Sequence, residues 1–542
     1  MLNQPLSLTR RRMLQVAAGA SAAGTIGGVS FWTPSAGAQA TPGAVPEGTL
    51  RLSMLGDFIP SFYPLGTWTG NQFLLYTMFY SSLVELDVNL EIRGDLADTW
   101  EISEDAKTFT FKLNPNATWH DGQPVTSADV AFSFKYYLRD TASVGFTTRL
   151  QALVGAADFM AGTTEELPGI ETPDPQTVIL TLTQPNAFFI KALREPFHFI
   201  LPEHVLGGTT PDQMQTHPFA TSAPLGSGPY KFVQMLPDQY VELDAHTEYF
   251  RGTPTFAKVF QKFLPAELVL AQLESGELDL GLRLNPLDYV RLEENENLDA
   301  ITRPGVGVVE LIINNRVITD KRIRQAVWYA IDRQGIVDGI FEGRGVLLKA
   351  PPAMSDYEGL NDYAYNPDQA RTLLQEAGWD GRTVRLIYDT VWAGVGDVVP
   401  IFQQQLSDVG IDVQLEPLDT ATWTDRYRNQ PDTWEIAWGQ GGTEGLDPDV
   451  STIYYNGNPD TAIGFYTNPD LEALLTQGRA LGDQEARDEI YMQAAKIIND
   501  EVPVIYLWTP FDIHGKIKAL NAEAYPYAPE SGNGILNWSF TS

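Results

Sequence analysis

The 542-residue chain contains no cysteine. That absence excludes disulfides, thiolate nucleophiles and cysteine-ligated zinc or iron–sulfur centres, and it leaves stability to the packed core alone. Histidine is sparse as well. The six histidines stand at 120, 198, 204, 217, 246 and 514 and never at metal-ligand spacing. Basic residues are few, 36 Lys and Arg against 69 Asp and Glu, which sets the net charge at −33. So acidic a chain repels nucleic-acid phosphates, and no basic patch with interleaved aromatics occurs, so nucleic acid is excluded as a partner. Catalytic signatures are missing too. There is no GxSxG nucleophile elbow, no HExxH and no GxxxxGK phosphate loop, and neither Gly439, Gly441 and Gly442 nor Gly343 and Gly345 complete GxGxxG. No metal and no cofactor is expected.

Long apolar runs are also lacking. Met13 to Val29 is rich in Gly, Ser and Thr and too weakly hydrophobic to span a membrane. Before it stand Arg10, Arg11 and Arg12, and after it Ala38-Gln39-Ala40, so residues 1–40 read as a twin-arginine-type export signal. With no acylatable cysteine, the exported protein is expected to be soluble at the periplasmic or extracellular face of the cytoplasmic membrane. The remaining chain exceeds the ~250–300 residues at which a single core stops growing, so at least two lobes are expected.

The stretch Gly94 to Leu138 reads as one unit. Phe109, Phe111 and Leu113 alternate with Thr110 and Lys112, the period of a half-buried strand. Asn114-Pro115-Asn116 and Asp121-Gly122 supply turns around Trp119-His120. Thr126 can then cap a helix whose apolar face is Val130, Ala131, Phe134, Tyr137 and Leu138. His120 and Asp121 belong to a turn on this reading, not to a catalytic pair.

The order LADTWEIS, TFTFKL, WHDG, TSADVAFS resembles the family 5 extracellular solute-binding proteins, the large peptide- and nickel-type binding proteins of ABC importers. The likeness continues in PLGSGPYKF (Pro224 to Phe232), LESGELDL (Leu273 to Leu280) and DKRIRQAVWYAIDR (Asp320 to Arg333), then in YNPDQARTLLQEAGW (Tyr365 to Trp379) and FYTNPDLEALL (Phe465 to Leu475). The resemblance implies an α/β chain with the two-lobed periplasmic-binding-protein (Venus-flytrap) fold of the large type, with an extra inserted subdomain. It places lobe I at 41–85, 220–309 and 510–542, the inserted subdomain at 86–219 and lobe II at 310–509, with hinge crossings near Val309-Glu310 and Thr509-Pro510. It implies a non-enzymatic monomer that closes over a small ligand, an oligopeptide or dipeptide, and serves the permease subunits of an ABC transporter.

Lobe II is expected to carry a βαβ rhythm, with a helix from Asp320, a capping box at Asn366-Pro367-Asp368-Gln369 and a stop at Gly378. A strand at Val384 to Tyr388, a helix at Val399 to Val409, a strand at Ile411 to Leu415 and an apolar strand at Pro503 to Trp508 follow. Phe188 to Glu203 is expected to pack across the smaller lobe.

Aromatics mark the candidate binding site. Phe62 and Trp68 lie in a Gly/Pro-broken stretch after the first strand, while Trp392, Trp438 and Tyr454 lie in or beside loops, and such loops line clefts more often than cores. Trp100, Trp328, Trp379 and Trp508 are assigned to the core. In peptide-binding relatives a Trp is followed three residues later by an Asp that pairs with the peptide's α-amino group; here Trp438 is followed by Gly441. Glu444 can replace that anchor, with Asp389 as a second polar contact, and Asp447 is read as a turn residue. An oligosaccharide-binding member of the family is the alternative ligand reading. A secreted glycoside hydrolase, with an acid pair beside aromatic platforms, is the alternative of another class.

Overall fold

The computed structural model describes residues 48–54, 61–64, 70–86, 92–140, 149–193, 198–285, 288–305, 307–392, 394–441, 447–522, 535–536 and 538–541. The export signal at 1–40, Trp68 and Glu444 lie outside these residues. The chain divides into two compact units, one holding Pro304–Gly478 and Glu485–Phe511, the other Val45–Arg303, Arg479–Gln484 and Asp512–Ser542. Each has its own large apolar core.

In the unit that holds the motif block, Thr49–Met54 runs parallel to both Lys258–Lys262 and Leu280–Leu282. Tyr240–Ala245 and Tyr230–Leu236 extend the sheet antiparallel. A separate four-stranded antiparallel sheet follows the order Ala97–Ile102, Thr108–Leu113, Thr177–Thr181, Ile170–Asp174. Phe109, Phe111 and Leu113 are buried, as their alternation requires, while Lys112 is exposed. Helix Ser127–Arg139 buries Val130, Phe134, Tyr137 and Leu138. At its start the Thr126 N–H and hydroxyl both donate to the Asp129 carboxylate, at 2.8 and 3.1 Å, which satisfies a donor that would otherwise be orphaned. Among the described residues, the stretch from Phe188 holds two short helices, Phe189–Ala192 and Glu203–Leu206.

Two sequence motifs meet at His120. Its Nε2 donates to the Gly228 carbonyl at 3.0 Å and its Nδ1 accepts the Gly226 N–H at 3.3 Å, so WHDG is stapled to PLGSGPYKF. His246 donates to the same carbonyl at 3.2 Å. The glycines are required here, because a Cβ at Gly226 would lie 2.0 Å from the Phe79 carbonyl oxygen.

The other unit is built on the parallel strands Val413–Leu418, Val384–Asp389 and Ile436–Gly441, in that spatial order. Val308–Ile313 then pairs antiparallel with Ile436–Gly441 and with the first part of Val504–Ile517. Helices Val395–Asp408 and Thr420–Asn429 make the crossovers. Because one steps to the neighbouring strand and the other steps back across it, right-handed connections put them on opposite faces.

Three boundaries differ from the sequence reading. The first crossover helix starts at Val395, not Val399, because Gly394 (φ 80°) turns the chain into it and Pro400 is accommodated inside. The strand after it runs over Val413–Leu418, set by its pairing with Val384–Asp389. The last long strand extends from Val504 to Ile517, its first residues pairing with Val308–Ile313 and its last with Leu280–Leu282.

Motif DKRIRQAVWYAIDR closes the backbone accounting of this unit. Arg324, 3% exposed, donates to the carbonyls of Glu501, Val502, Ile318 and Thr319. Arg333, 4% exposed, donates to those of Leu348, Tyr506 and Asp362. Each guanidinium thus gathers several backbone carbonyls from segments distant in sequence. The Asn366 side chain caps its helix by accepting the Gln369 N–H at 3.0 Å, but the reciprocal half of the expected capping box is absent because the Asn366 N–H donates to the Tyr329 carbonyl at 2.8 Å; Gly378 ends the helix at φ 68°.

Candidate functional site

In an open α/β sheet, ligands bind beyond the carboxyl ends of the parallel strands, where backbone ends and loop side chains converge. In the parallel-stranded unit those ends are Asp389, Leu418 and Gly441, with Val308 beside Gly441 in register. Asp389 is only 4% exposed, and its Oδ1 accepts the Val391 N–H at 3.0 Å, which bends the chain out of the strand. Two large apolar residues then stand in the open, Val391 at 61% and Trp392 at 37% exposed. A carboxylate at a strand end and an exposed indole three residues on are the kinds of group that hold a polar or cationic ligand and offer it a flat apolar face.

The structure separates the other flagged residues. Trp438 is not in a loop. It is a strand residue paired with Leu311, 3% exposed, with its ring 6.0 Å from that of Phe402. Phe62 has no exposed surface; Phe79 and Phe232 meet it edge-on, each at 5.1 Å. Its Gly/Pro surroundings suggested an open loop, but the backbone N–H bond from Phe62 to the Ala220 carbonyl (2.6 Å) pulls it into the core, and it is corrected to a core residue. Tyr454 ends a short helix, Ser451–Tyr454, half-buried against the same core as Trp438. Of the tryptophans assigned to the core, Trp328 and Trp508 are fully buried, while Trp100 and Trp379 are half-buried at its edge.

Strongly displaced titrating groups often mark functional sites. Here the displaced histidines and carboxylates lie elsewhere and have structural causes. Burial pushes His120 down to about 3 and His198 down to about 4. Glu85 is pushed up to about 8 by burial and by the Asp95 charge, against the pull of Arg251 and Arg93, each 2.5 Å away. These groups are internal staples of their unit. An open depression of about 510 Å³ lined by Tyr289, Glu293, Asn295, Asp299 and Lys518 contains none of the flagged residues. Its Asp299 already pairs with Lys516. Among the described residues no group of His, Cys, Asp and Glu is arranged to hold a metal ion.

Sequence reasoning missed one pair. Asp447 makes the turn expected of it, accepting the Asp449 N–H at 2.9 Å, and it is also held by both terminal nitrogens of the fully buried Arg487. Forty residues separate the two, so no local pattern announces the contact.

Residues 91–462 match the family model described as bacterial extracellular solute-binding proteins, family 5 Middle. The chain is 29% identical over 486 residues to a Brucella ovis protein provisionally named an ABC transporter peptide-binding protein, covering 84% of this chain and 85% of that one. It is 26% identical over 478 residues to the oligopeptide-binding protein AppA of Bacillus subtilis, covering 84% of each. The solved structure of the ABC transporter substrate binding protein CtaP of Listeria monocytogenes matches with a TM-score of 0.78 at 23% identity, over 92% of this chain and 100% of that one. The fold is therefore the two-lobed α/β fold of the large periplasmic binding proteins.

Proposed function

Because this chain belongs to family 5 of the bacterial extracellular solute-binding proteins, we propose that it captures a short peptide and delivers it unaltered to the permease of an ABC importer. The observation that carries this reading is the family match over most of the chain, joined by relatives whose names state peptide binding. The strand-end geometry supports it. Asp389 offers a carboxylate suited to an amino group, Trp392 offers a flat apolar face, and Tyr454 adds a half-buried phenol. Trp68 and Glu444 are assigned to the same ligand, and Trp438 supports the site from within the core. The lobes are 41–85 with 220–309 and 510–542, and 310–509, with 86–219 as the inserted subdomain, and the protein works as a monomer.

A carrier of this kind changes conformation because ligand contacts on both lobes favour a closed state. Calorimetric titration with alanine oligopeptides should give saturable binding, and scattering at saturation should give a smaller radius of gyration. Mass spectra of the released ligand should return the peptide intact. Hydrolysed peptide would replace the carrier reading with an enzymatic one.

Export is assigned to the twin-arginine route through Arg10, Arg11 and Arg12. Among the described residues no helix is long and apolar enough to cross a membrane. Replacing the three arginines by lysine should trap the precursor inside the cell; unimpaired export of that variant would show the basic run is not read this way.

A further inference from the structure

Beyond strand Ile436–Gly441, the turn Asp447-Pro448-Asp449 leads directly into the short helix Ser451–Tyr454. The place where this turn is anchored therefore decides where Tyr454, one part of the ligand surface, stands. Two carboxylates of the turn grip two residues one helical turn apart on Gln484–Glu501. Asp447 receives Arg487 through both carboxylate oxygens, one at 3.0 Å. Asp449 receives the Tyr491 hydroxyl at 3.1 Å. The Arg487 guanidinium also lies 4.7 Å from the Tyr491 ring centroid, so the grips share one packed unit. The helix below is immobilised by its own buried face, Ala494, Ala495 and Ile498.

We infer that Arg487 is a positioning residue for ligand binding, which through Asp447 sets the placement of the segment 447–455 that carries Tyr454. The inference rests on the peptide-binding reading above. The physical reason is an asymmetry in what a buried ion pair contributes. Replacing both partners by uncharged groups of similar size is often neutral for stability, whereas a two-point guanidinium–carboxylate contact fixes direction as well as distance. An apolar pair filling the same space would hold the segment less specifically. Asp447 is 7% and Arg487 0% exposed, so the contact is made away from bulk solvent.

The test is the double substitution Asp447→Asn with Arg487→Met in the full chain. Asparagine keeps the acceptor for the Asp449 N–H, methionine fills much of the arginine's volume, and no buried charge is left alone. The urea midpoint should stay close to wild type, while affinity for alanine oligopeptides should fall at least about tenfold. Hydrogen exchange should rise across 447–455 and stay unchanged in Gln484–Glu501. Wild-type affinity, or unchanged exchange across 447–455, would overturn the inference. Tyr491→Phe with Asp449→Asn removes only the second grip and should give the same exchange pattern in smaller degree. Arg487→Lys, which keeps the charge but loses the two-point contact with Asp447, should also raise exchange across 447–455 and decides the question if the double variant fails to fold. Should the wild-type protein bind none of the peptides, the functional reading fails, and the exchange pattern still decides whether Arg487 places the segment.

Discussion

All six histidines of the chain lie in the unit that holds the motif block, and none lies in Pro304–Gly478 or Glu485–Phe511. In that second unit the corresponding work falls to buried arginines. The two side chains solve the same problem differently. A neutral imidazole carries one donor and one acceptor, so His120 can bridge the Gly228 carbonyl and the Gly226 N–H, but only while it stays neutral. A guanidinium has five donors and no acceptor, so Arg324 and Arg333 can gather only carbonyls. Burial lowers Arg333, but only to about 10, so that staple keeps its charge in acid and at neutral pH. The histidine staples of one unit therefore feel acid, and the arginine staples of the other do not.

The largest expected effect breaks the molecule along this difference. His120, His198 and His246 all titrate below the ordinary histidine range in the fold, because burial disfavours the charged ring. The unfolded chain then binds protons that the folded one refuses. The stability these rings contribute is whole above about pH 6.5 and is lost as pH falls towards about 3–4. Glu85 acts with the opposite sign. Its raised value means stability present below the ordinary carboxylate range and lost as pH rises through about 8. Asp95 and Asp288 are raised by burial as well, so three carboxyls oppose the three imidazoles, and each tenfold change in a group's proton affinity is worth ~1.4 kcal/mol. Acidification should therefore weaken the histidine staples of this unit while leaving the arginine staples of the other in place. Calorimetry at pH 4 should resolve two transitions, and hydrogen exchange should assign the earlier one to residues 48–303. A single transition, or earlier loss of the arginine-stapled unit, would contradict the comparison.

Within the arginine-stapled unit, two tryptophans sharpen the contrast between scaffold and open surface. Trp438 lies inside the core between Leu311 and Phe402, so Trp438→Ala should cost ~3–5 kcal/mol of stability. The urea midpoint of this unit should drop while that of the other stays. Trp392 stands in the open beyond its strand, and Trp392→Ala should leave stability within ~0.5 kcal/mol. Its effect should appear in peptide affinity, with a loss of roughly tenfold, about 1.4 kcal/mol. If the alanine at 392 unfolds the unit, or that at 438 leaves the midpoint unmoved, the division between the two positions is wrong.

Much of this was legible along the chain. The alternation in TFTFKL, the cap at Asn366, the stop at Gly378 and the motif order are local, and local signals state local geometry. Exposure of the Trp392 loop also followed from its glycines and acids. Trp438 misled because its glycine neighbours are strand residues. Gly439 pairs with Glu310, whose side chain occupies the space a Cβ would need, 2.8 Å away. Phe62 misled in the same way, since the Ala220 carbonyl that draws it inwards lies far along the chain.

Composition and residue order were enough to set the class of the protein: an acidic, cysteine-free chain whose ordered motifs name its family and whose periodicities set most strands and helices. These are properties of neighbouring residues, and short-range sterics and burial patterns are enough to express them. Folding in three dimensions was needed to sort the aromatics into scaffold and open surface, to join WHDG and PLGSGPYKF in one staple, and to bring Arg487 to Asp447. Each depends on contacts between residues distant in sequence, and such contacts are chosen by the packing of whole elements, where one register or one close glycine approach selects the partner.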